Sequence, residues 1–301
     1  LITRGCWLVV LELTIVNFSW RFAVGNFAFL AVIWVIGVSM VLLGVLIWLP
    51  RTVILLVSVI TIAGHNALDG WAPERFGAVS WLWKLLHVPG YIPLSEWFGL
   101  SVAYPIIPWC GVMALGYSMG PVFTVDPTQR ARYLIVAGGT MVILFLTLRT
   151  LSLYGEPQPW AIQERGAVYT VLSFLRVTKY PPSLLFVCMT LGPSLLFIAL
   201  LERIKPLGMN FFRTFGRVPL FFYLLHVPVI RFTGQVKNQI LYGQNIDLFG
   251  PGETSWPADY TPQLWLVYLV WMALLVSVFY PACRWFEGVK ERHRQWWIRY
   301  L

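Results

Sequence analysis

The stretch Gly64-His65-Asn66-Ala67-Leu68-Asp69-Gly70 places an imidazole and a carboxylate four residues apart. On a continuing helix such positions share a face, so Asp69 would orient and charge-stabilise His65 as a general base. The alternative is an Asx-type helix end, in which Asn66 or Asp69 caps backbone groups and Gly70 stops the helix. His226 closes the string Phe215-Gly216-Arg217-Val218-Pro219-Leu220-Phe221-Phe222-Tyr223-Leu224-Leu225-His226 deep in an apolar run. An unpartnered imidazole is expensive there, so His226 needs a cavity or a partner, or is a core histidine bonded to a neighbouring helix. The expected arrangement has His65, Asp69 and His226 facing one cavity.

Three further polar groups sit where polar groups cost most. Glu12 lies about two turns into the first apolar run and is followed by Asn17; a carboxylate at that depth is protonated, paired or in a watery cavity, which leaves a packing role and a site role both open. Arg217 must snorkel or face a polar interior. Asn66, beside the histidine, offers both a donor and an acceptor. His87 follows Trp81, Trp83 and Lys84 and could bind substrate, although an interfacial aromatic belt accounts for the tryptophans.

Other chemistries find no footing. The chain shows no Gly-rich phosphate loop, no nucleophile-elbow serine, no metalloprotease pair and no dinucleotide fingerprint. Cys6, Cys110, Cys188 and Cys283 lie in or at the ends of apolar runs without metal-site or redox spacing, and read as core residues. No metal site is expected.

These groups must be held by elements built for lipid. Charged residues make up 12% of the chain and apolar ones 58%, with a mean hydropathy of +0.70, whereas soluble domains carry roughly a quarter charged residues. Backbone amides in lipid must pair within their own segment or in a closed barrel, and the runs lack strand alternation, so the fold class is all-α. About eight transmembrane helices are expected, near residues 5–22, 27–49, 51–67, 97–124, 132–149, 181–201, 211–232 and 263–283. They form a single transmembrane domain over 1–301, with a basic tail at 285–301 that includes Trp296 and Trp297 and reads as a juxtamembrane anchor.

Alternating sides put thirteen of the 22 Lys and Arg on one face, among them Arg130, Arg132, Arg203, Arg213, Arg217, Arg284 and Lys290. That bias assigns the face, and both ends of the segment, to the cytoplasm. The formal charge of +9 is explained by topology, and nucleic acid is not an expected partner. Long connections at 68–96, 150–180 and 233–262 then lie outside, where a large substrate would meet the protein.

Several strings together resemble a known family: Arg4-Gly5-Cys6-Trp7-Leu8, Leu11-Glu12-Leu13-Thr14, the 64–70 stretch, Tyr104-Pro105-Ile106-Ile107-Pro108-Trp109, Lys179-Tyr180-Pro181-Pro182-Ser183-Leu184 and the 215–226 string. The chain resembles, over nearly all its length, bacterial membrane proteins of the heparan-alpha-glucosaminide N-acetyltransferase catalytic-domain family. The resemblance implies a multi-pass protein of the bacterial cytoplasmic membrane that transfers acetyl from acetyl-CoA to a sugar or cell-envelope glycan acceptor on the outer side. Acetyl-CoA enters as co-substrate, and no tightly bound cofactor is implied. Membrane lipid is a partner, and homo-oligomers stay open. The family's opening helices, with the histidine generally taken as catalytic, should precede Leu1, so the chain reads as N-terminally incomplete and His65 does not inherit that role. What carries over is that Glu12, His65, Asn66, Asp69, Arg217 and His226 match recurring polar positions of the bacterial branch. Among them His65, Asp69 and His226 are the catalytic candidates; Glu12, Asn66 and Arg217 are the substrate-binding ones. The rival function is a transporter or flippase for a small polar or acylated solute, using the same histidines and Glu12 as a proton relay. Such proteins usually contain inverted repeats or broken helices, neither of which is visible in the sequence.

Overall fold

The structure is a computed structural model that describes residues 1–22, 25–204, 208–243, 263–293, 295 and 298. Its helices are α1 (Ile2–Leu11), α2 (Asn17–Arg21), α3 (Val32–Leu46), α4 (Arg51–Gly64), α5 (Ser80–Leu86), α6 (Ile106–Ser118), α7 (Pro127–Leu151), α8 (Ala167–Leu175), α9 (Leu184–Ile204), α10 (Met209–Arg217), α11 (Pro219–Tyr242), α12 (Leu264–Leu274) and α13 (Tyr280–Arg292). Wider π turns join α1 to α2 through Glu12–Val16 and α12 to α13 through Leu275–Phe279. Five helical stretches, Ile2–Arg21, Arg51–Leu68, Pro127–Leu151, Leu184–Ile204 and Leu264–Arg292, are long and apolar enough to cross a membrane. The bent pair α10 and α11 makes a sixth if counted as one span, and α3 and α6 are shorter apolar helices. Each of the eight apolar runs therefore contains a helix, and the class is an all-α polytopic bundle. Leu56, Ile60 and Ile143 stand 60%, 68% and 66% exposed, an outward apolar surface that suits lipid and not water.

Two runs depart from the expected helices. Residues 27–31 and 97–105 contain strands β1 (Phe27–Leu30) and β3 (Gly99–Val102), which with β2 (Gly90–Pro93) form a sheet in the order β1-β3-β2. β1 pairs parallel with β3, Phe27 opposite Gly99, and β2 pairs antiparallel with β3, Gly90 opposite Val102. Periodicity does not separate a short buried strand from a helix in an unbroken apolar run, and the helical part of the second run starts only after Pro105. The seventh span also differs. It breaks by 90° between Arg217 and Pro219, and α11 continues to Tyr242, ten residues beyond the expected end at 232. Val218 takes a non-helical backbone, and Pro219 opens the next helix at a position where its missing N–H costs nothing. A broken helix is thus present where none was expected. The remainder of the 233–262 connection, from 244 to 262, and Trp296 and Trp297 of the tail lie outside the described residues.

The described chain forms two compact units, one of Leu1–Leu13 with Asn26–Lys205 and one of Thr14–Gly25 with Pro206–Leu301. In the first, helices meet through glycine. A Cβ on Gly5 would stand 2.5 Å from the Gly37 carbonyl oxygen where α1 crosses α3, and one on Gly138 would stand 2.7 Å from the Gly192 carbonyl oxygen where α7 crosses α9. Where lipid is as apolar as leucine, such close backbone approach supplies the packing that holds helices together. Asp126 starts α7 by accepting from the amides of Thr128 and Gln129, both at 3.0 Å, ahead of Pro127. At the same end Arg130 pairs with Glu202 of α9 at 2.7 Å.

The other end of α7 carries Arg149, fully buried, whose guanidinium donates to the carbonyls of Gln158, Ser173, Phe174 and Arg176 at 2.7–3.0 Å. Glu156 accepts from the Thr178 amide and hydroxyl and from the Ser183 hydroxyl. These two side chains tie the 150–180 connection to the bundle. In the second unit, Phe221 stacks on Phe286 at 4.2 Å over a core of Val218, Cys283, Phe286 and Ile298. Of the cysteines, Cys188 and Cys283 are buried as expected, whereas Cys6 is exposed on the outer surface of its helix.

Candidate functional site

The 64–70 stretch does not continue as an α-helix. α4 ends at Gly64 and tightens into a 3-10 turn over His65–Leu68. In an α-helix residues four apart are rotated by about 40°; in a 3-10 turn the rotation is about 120°. Asp69 therefore turns away from His65, and the expected His65–Asp69 pair does not form. Its carboxylate reaches His87 instead, with Oδ1 3.1 Å from His87 Nε2.

Asn66 locks this arrangement. Its Nδ2 donates to Asp69 Oδ2 at 2.8 Å, and its Oδ1 accepts the amide of Leu184, the first residue of α9, at 2.8 Å. The Asx-type reading of the stretch holds in that sense: Asn66 caps a helix from another part of the chain and, in the same contact, fixes the carboxylate. Both polar ends of its amide are spent inside the protein. Burial raises the Asp69 carboxyl, but hydrogen bonds from His87 and Asn66 outweigh it and hold its pKa below the ordinary aspartate value. Tyr154, whose hydroxyl donates to Ala63 O at 2.6 Å, stands within the field of that carboxylate. Burial pushes its phenol up, and the Asp69 charge adds to the rise.

His65 and His87 are 2% and 1% exposed, and their rings meet edge to face at 5.8 Å. His65 Nδ1 lies 3.3 Å from Ile62 O. A neutral ring donating there leaves Nε2 as acceptor, and His87 donating through Nε2 to Asp69 leaves its Nδ1 as acceptor. Both of these remaining nitrogens are buried and lack a hydrogen-bond partner among the described residues. The wall beside them is aromatic: Trp83 packs on His87 at 5.1 Å and on Phe76 at 4.7 Å, and its indole N–H donates to Trp71 O at 2.8 Å. The tryptophan pattern around residues 81–84 reads as an interfacial belt, yet Trp83 is a buried wall of this cluster and His87 stands between it and Asp69. The signal available for His87 was its position one residue past a short helix; its partner lies 18 residues away.

The other candidates have partners of their own. Glu12 is fully buried, and its Oε2 accepts the Trp34 amide at 3.0 Å, with the amides of Ala31 and Ile33 also directed at it. It satisfies the open first turn of α3. Arg217, in the second unit, pairs with Glu287 and is 61% exposed. His226 belongs to the same second unit. Its Nδ1 lies 2.6 Å from Tyr223 O and 3.1 Å from Phe222 O, and its ring stacks on Phe222 at 5.1 Å. Its own helix, and not a neighbour, supplies the partner.

A multi-pass helical membrane bundle with an Asp, His and Asn cluster at the end of one spanning helix is the class these features define. The sequence model of heparan-alpha-glucosaminide N-acetyltransferase, catalytic, matches residues 1–159. That is more than half of the chain, and the chain belongs to this family; membership suggests membrane acetyltransferase activity. The matched part contains Glu12, His65, Asn66, Asp69 and His87, while the similar strings at 179–184 and 215–226 lie beyond it. Searches of curated proteins and of solved structures gave no match.

Proposed function

We propose that the protein is a membrane acetyltransferase that moves an acetyl group from acetyl-CoA to an amine or hydroxyl of a sugar or envelope glycan on the outer side of the bacterial cytoplasmic membrane, with His87 as base and Asp69 as its orienting carboxylate. The observation that carries the reading is the Asp69–His87 contact at 3.1 Å, which leaves a buried imidazole nitrogen aimed away from the carboxylate with its lone pair unused. His87 Nδ1 takes the proton of the acceptor as the acceptor's lone pair attacks the thioester carbonyl. The carbon–sulfur bond then breaks, the acetyl group stays on the acceptor, and the leaving thiolate recovers the proton from the imidazolium. The Asp69 charge stabilises that imidazolium. His65 supplies a second buried acceptor 5.8 Å away, ring to ring, that can hold the acceptor or a water.

Transport is the second reading, favoured by the 90° break at Val218, since transporters build binding sites at interrupted helices. One experiment separates the two. Purified protein in liposomes, loaded inside or outside with labelled acetyl-CoA and offered amino sugars and envelope glycans, should yield acetylated product. Passage of an unmodified solute with no product and no consumption of acetyl-CoA would replace transfer by transport.

A further inference from the structure

The second unit holds a polar cleft. α10 is a short helix whose Asn210, Arg213, Thr214 and Arg217 follow one another at three- and four-residue spacing and so share a face. Its opposite side is phenylalanine: Phe211 stacks on Tyr280 at 4.7 Å and Phe215 meets Phe222 at 5.2 Å. α13 presents Tyr280, Arg284 and Glu287 by the same spacing. The two polar faces enclose a cavity of about 410 Å³ lined by these seven residues, a size within the range of small-molecule sites.

Charge is distributed unevenly in it. Arg217 is committed to Glu287, with Glu291 at 4.0 Å, and Lys290 donates to the Arg217 carbonyl at 3.4 Å. Arg213 and Arg284 make no hydrogen bond and no ion pair among the described residues. Two guanidiniums thus line one cavity with their forks unused, beside a third already anchored. The lining holds three arginines against one carboxylate, Glu287, which is already engaged by Arg217, so positive charge is in excess inside the cavity. Planar five-donor forks around a small polar cavity match the oxygens of a phosphate, which they bind bidentately.

We infer that the cleft between α10 and α13 is a binding site for a phosphate-bearing ligand, with Arg213 and Arg284 as its direct donors and Arg217, held by Glu287, as the fixed wall. The site is independent of the acetyltransferase reading. Where acetyl-CoA is the donor, the phosphates of its nucleotide end are the soluble form of this chemistry; that clause alone rests on the proposed function. A phospholipid headgroup is the other source. α13 ends a 29-residue helical stretch, Leu264–Arg292, longer than the roughly 20 residues that cross the hydrocarbon, so its charged final turns reach headgroup level.

The test uses the full chain in nanodiscs of zwitterionic lipid. Calorimetric titration with adenosine 3′,5′-bisphosphate and with inorganic pyrophosphate, against adenosine as the phosphate-free control, is compared for wild type, R213Q/R284Q and R213K/R284K. Expected is saturable, salt-weakened binding of the bisphosphate by wild type, a loss of at least tenfold in the glutamine pair and partial retention in the lysine pair, with thermal melting unchanged. Adenosine should not bind. If the soluble phosphates fail but phosphatidylglycerol is retained by wild type through purification and lost by the glutamine pair, the phosphate site stands with lipid as its source. If neither phosphate nor phosphatidylglycerol distinguishes wild type from the glutamine pair, the inference is overturned. Each readout is binding, so failure of acetyl transfer alone leaves it untouched.

Discussion

Asp69 Oδ1 lies 3.1 Å from His87 Nε2, across 18 residues of chain, while Asn66 holds the other carboxylate oxygen at 2.8 Å. The carboxylate is thereby gripped on both oxygens, and the imidazole it orients keeps only one tautomer, with the proton on Nε2. A pair of this kind serves proton transfer at Nδ1, or it serves packing alone. The two roles separate in kinetics.

Removing the imidazole in His87→Gln, which nearly keeps the volume, should lower acetyl transfer by a hundredfold or more, the usual worth of a positioned base. Asp69→Asn should lower kcat with little change in KM, because the charge it removes matters only once the imidazolium forms. Thermal melting of purified variants is measured alongside. Stable variants that retain activity within threefold of wild type would reduce the pair to scaffold.

The depressed pKa of Asp69 ties stability to pH in one direction. A carboxylate whose folded pKa lies below its unfolded value contributes stability that is present above the unfolded value and is lost as pH falls through the folded one. Wild type should therefore melt higher than Asp69→Asn at pH 7, and the gap should close below about pH 4, near the ordinary carboxylate range. Melting curves followed by tryptophan fluorescence from pH 7 to pH 3 measure this. A gap that stays constant over that interval would show that folding does not lower the Asp69 pKa.

What was legible in the sequence follows from what is local. Each apolar run contains a helix because length and lack of charge act within the run itself. Phe27–Leu30 and Gly99–Val102 became strands because they pair with each other, and an apolar run carries no mark of a partner some seventy residues away. The polar cluster divides in the same manner. His65, Asn66 and Asp69 stood out as costly groups at a helix end, but the 3-10 turn that swings Asp69 toward His87 depends on Asn66 being drawn to the α9 amide of Leu184. Glu12 was legible as a buried carboxylate; that it closes the first turn of α3 required knowing which helix lies beside it.

Adjacent glycines in α7 give a paired test of the helix contacts. A Cβ on Gly138 meets the Gly192 carbonyl oxygen at 2.7 Å, a backbone atom that cannot swing aside, whereas a Cβ on Gly139 meets nothing within 4 Å. Gly138→Ala should destabilise by about 1–3 kcal/mol as α7 and α9 are forced apart. Gly139→Ala should be neutral or stabilising by a few tenths to about 1 kcal/mol through helix propensity. Equal melting temperatures for the two variants would mean that this crossing is looser than the structure describes.

The proposed orientation in the membrane rests on the Lys and Arg bias, which would put the Asp126-capped start of α7, with Arg130 and Arg132, in the cytoplasm and the Arg149 end outside. The 25 residues of α7 at 1.5 Å each make about 37 Å, enough to carry the chain from one face to the other. The His87 cluster, on the 68–96 connection, would then lie on the outer side, the side of the proposed glycan acceptor. The four native cysteines are replaced, and single cysteines are placed near Gln158 and after Arg299. Intact cells are treated with a membrane-impermeant maleimide, then permeabilised. The position near Gln158 should react before permeabilisation and the position after Arg299 only afterward. The reverse pattern inverts the protein, moves the Asp69–His87 pair to the cytoplasmic side and removes the outer acceptor from the proposed reaction. Labelling of both positions in intact cells would mean that an even number of spans separates them, and the break at Val218 would then be a re-entrant turn and not a crossing.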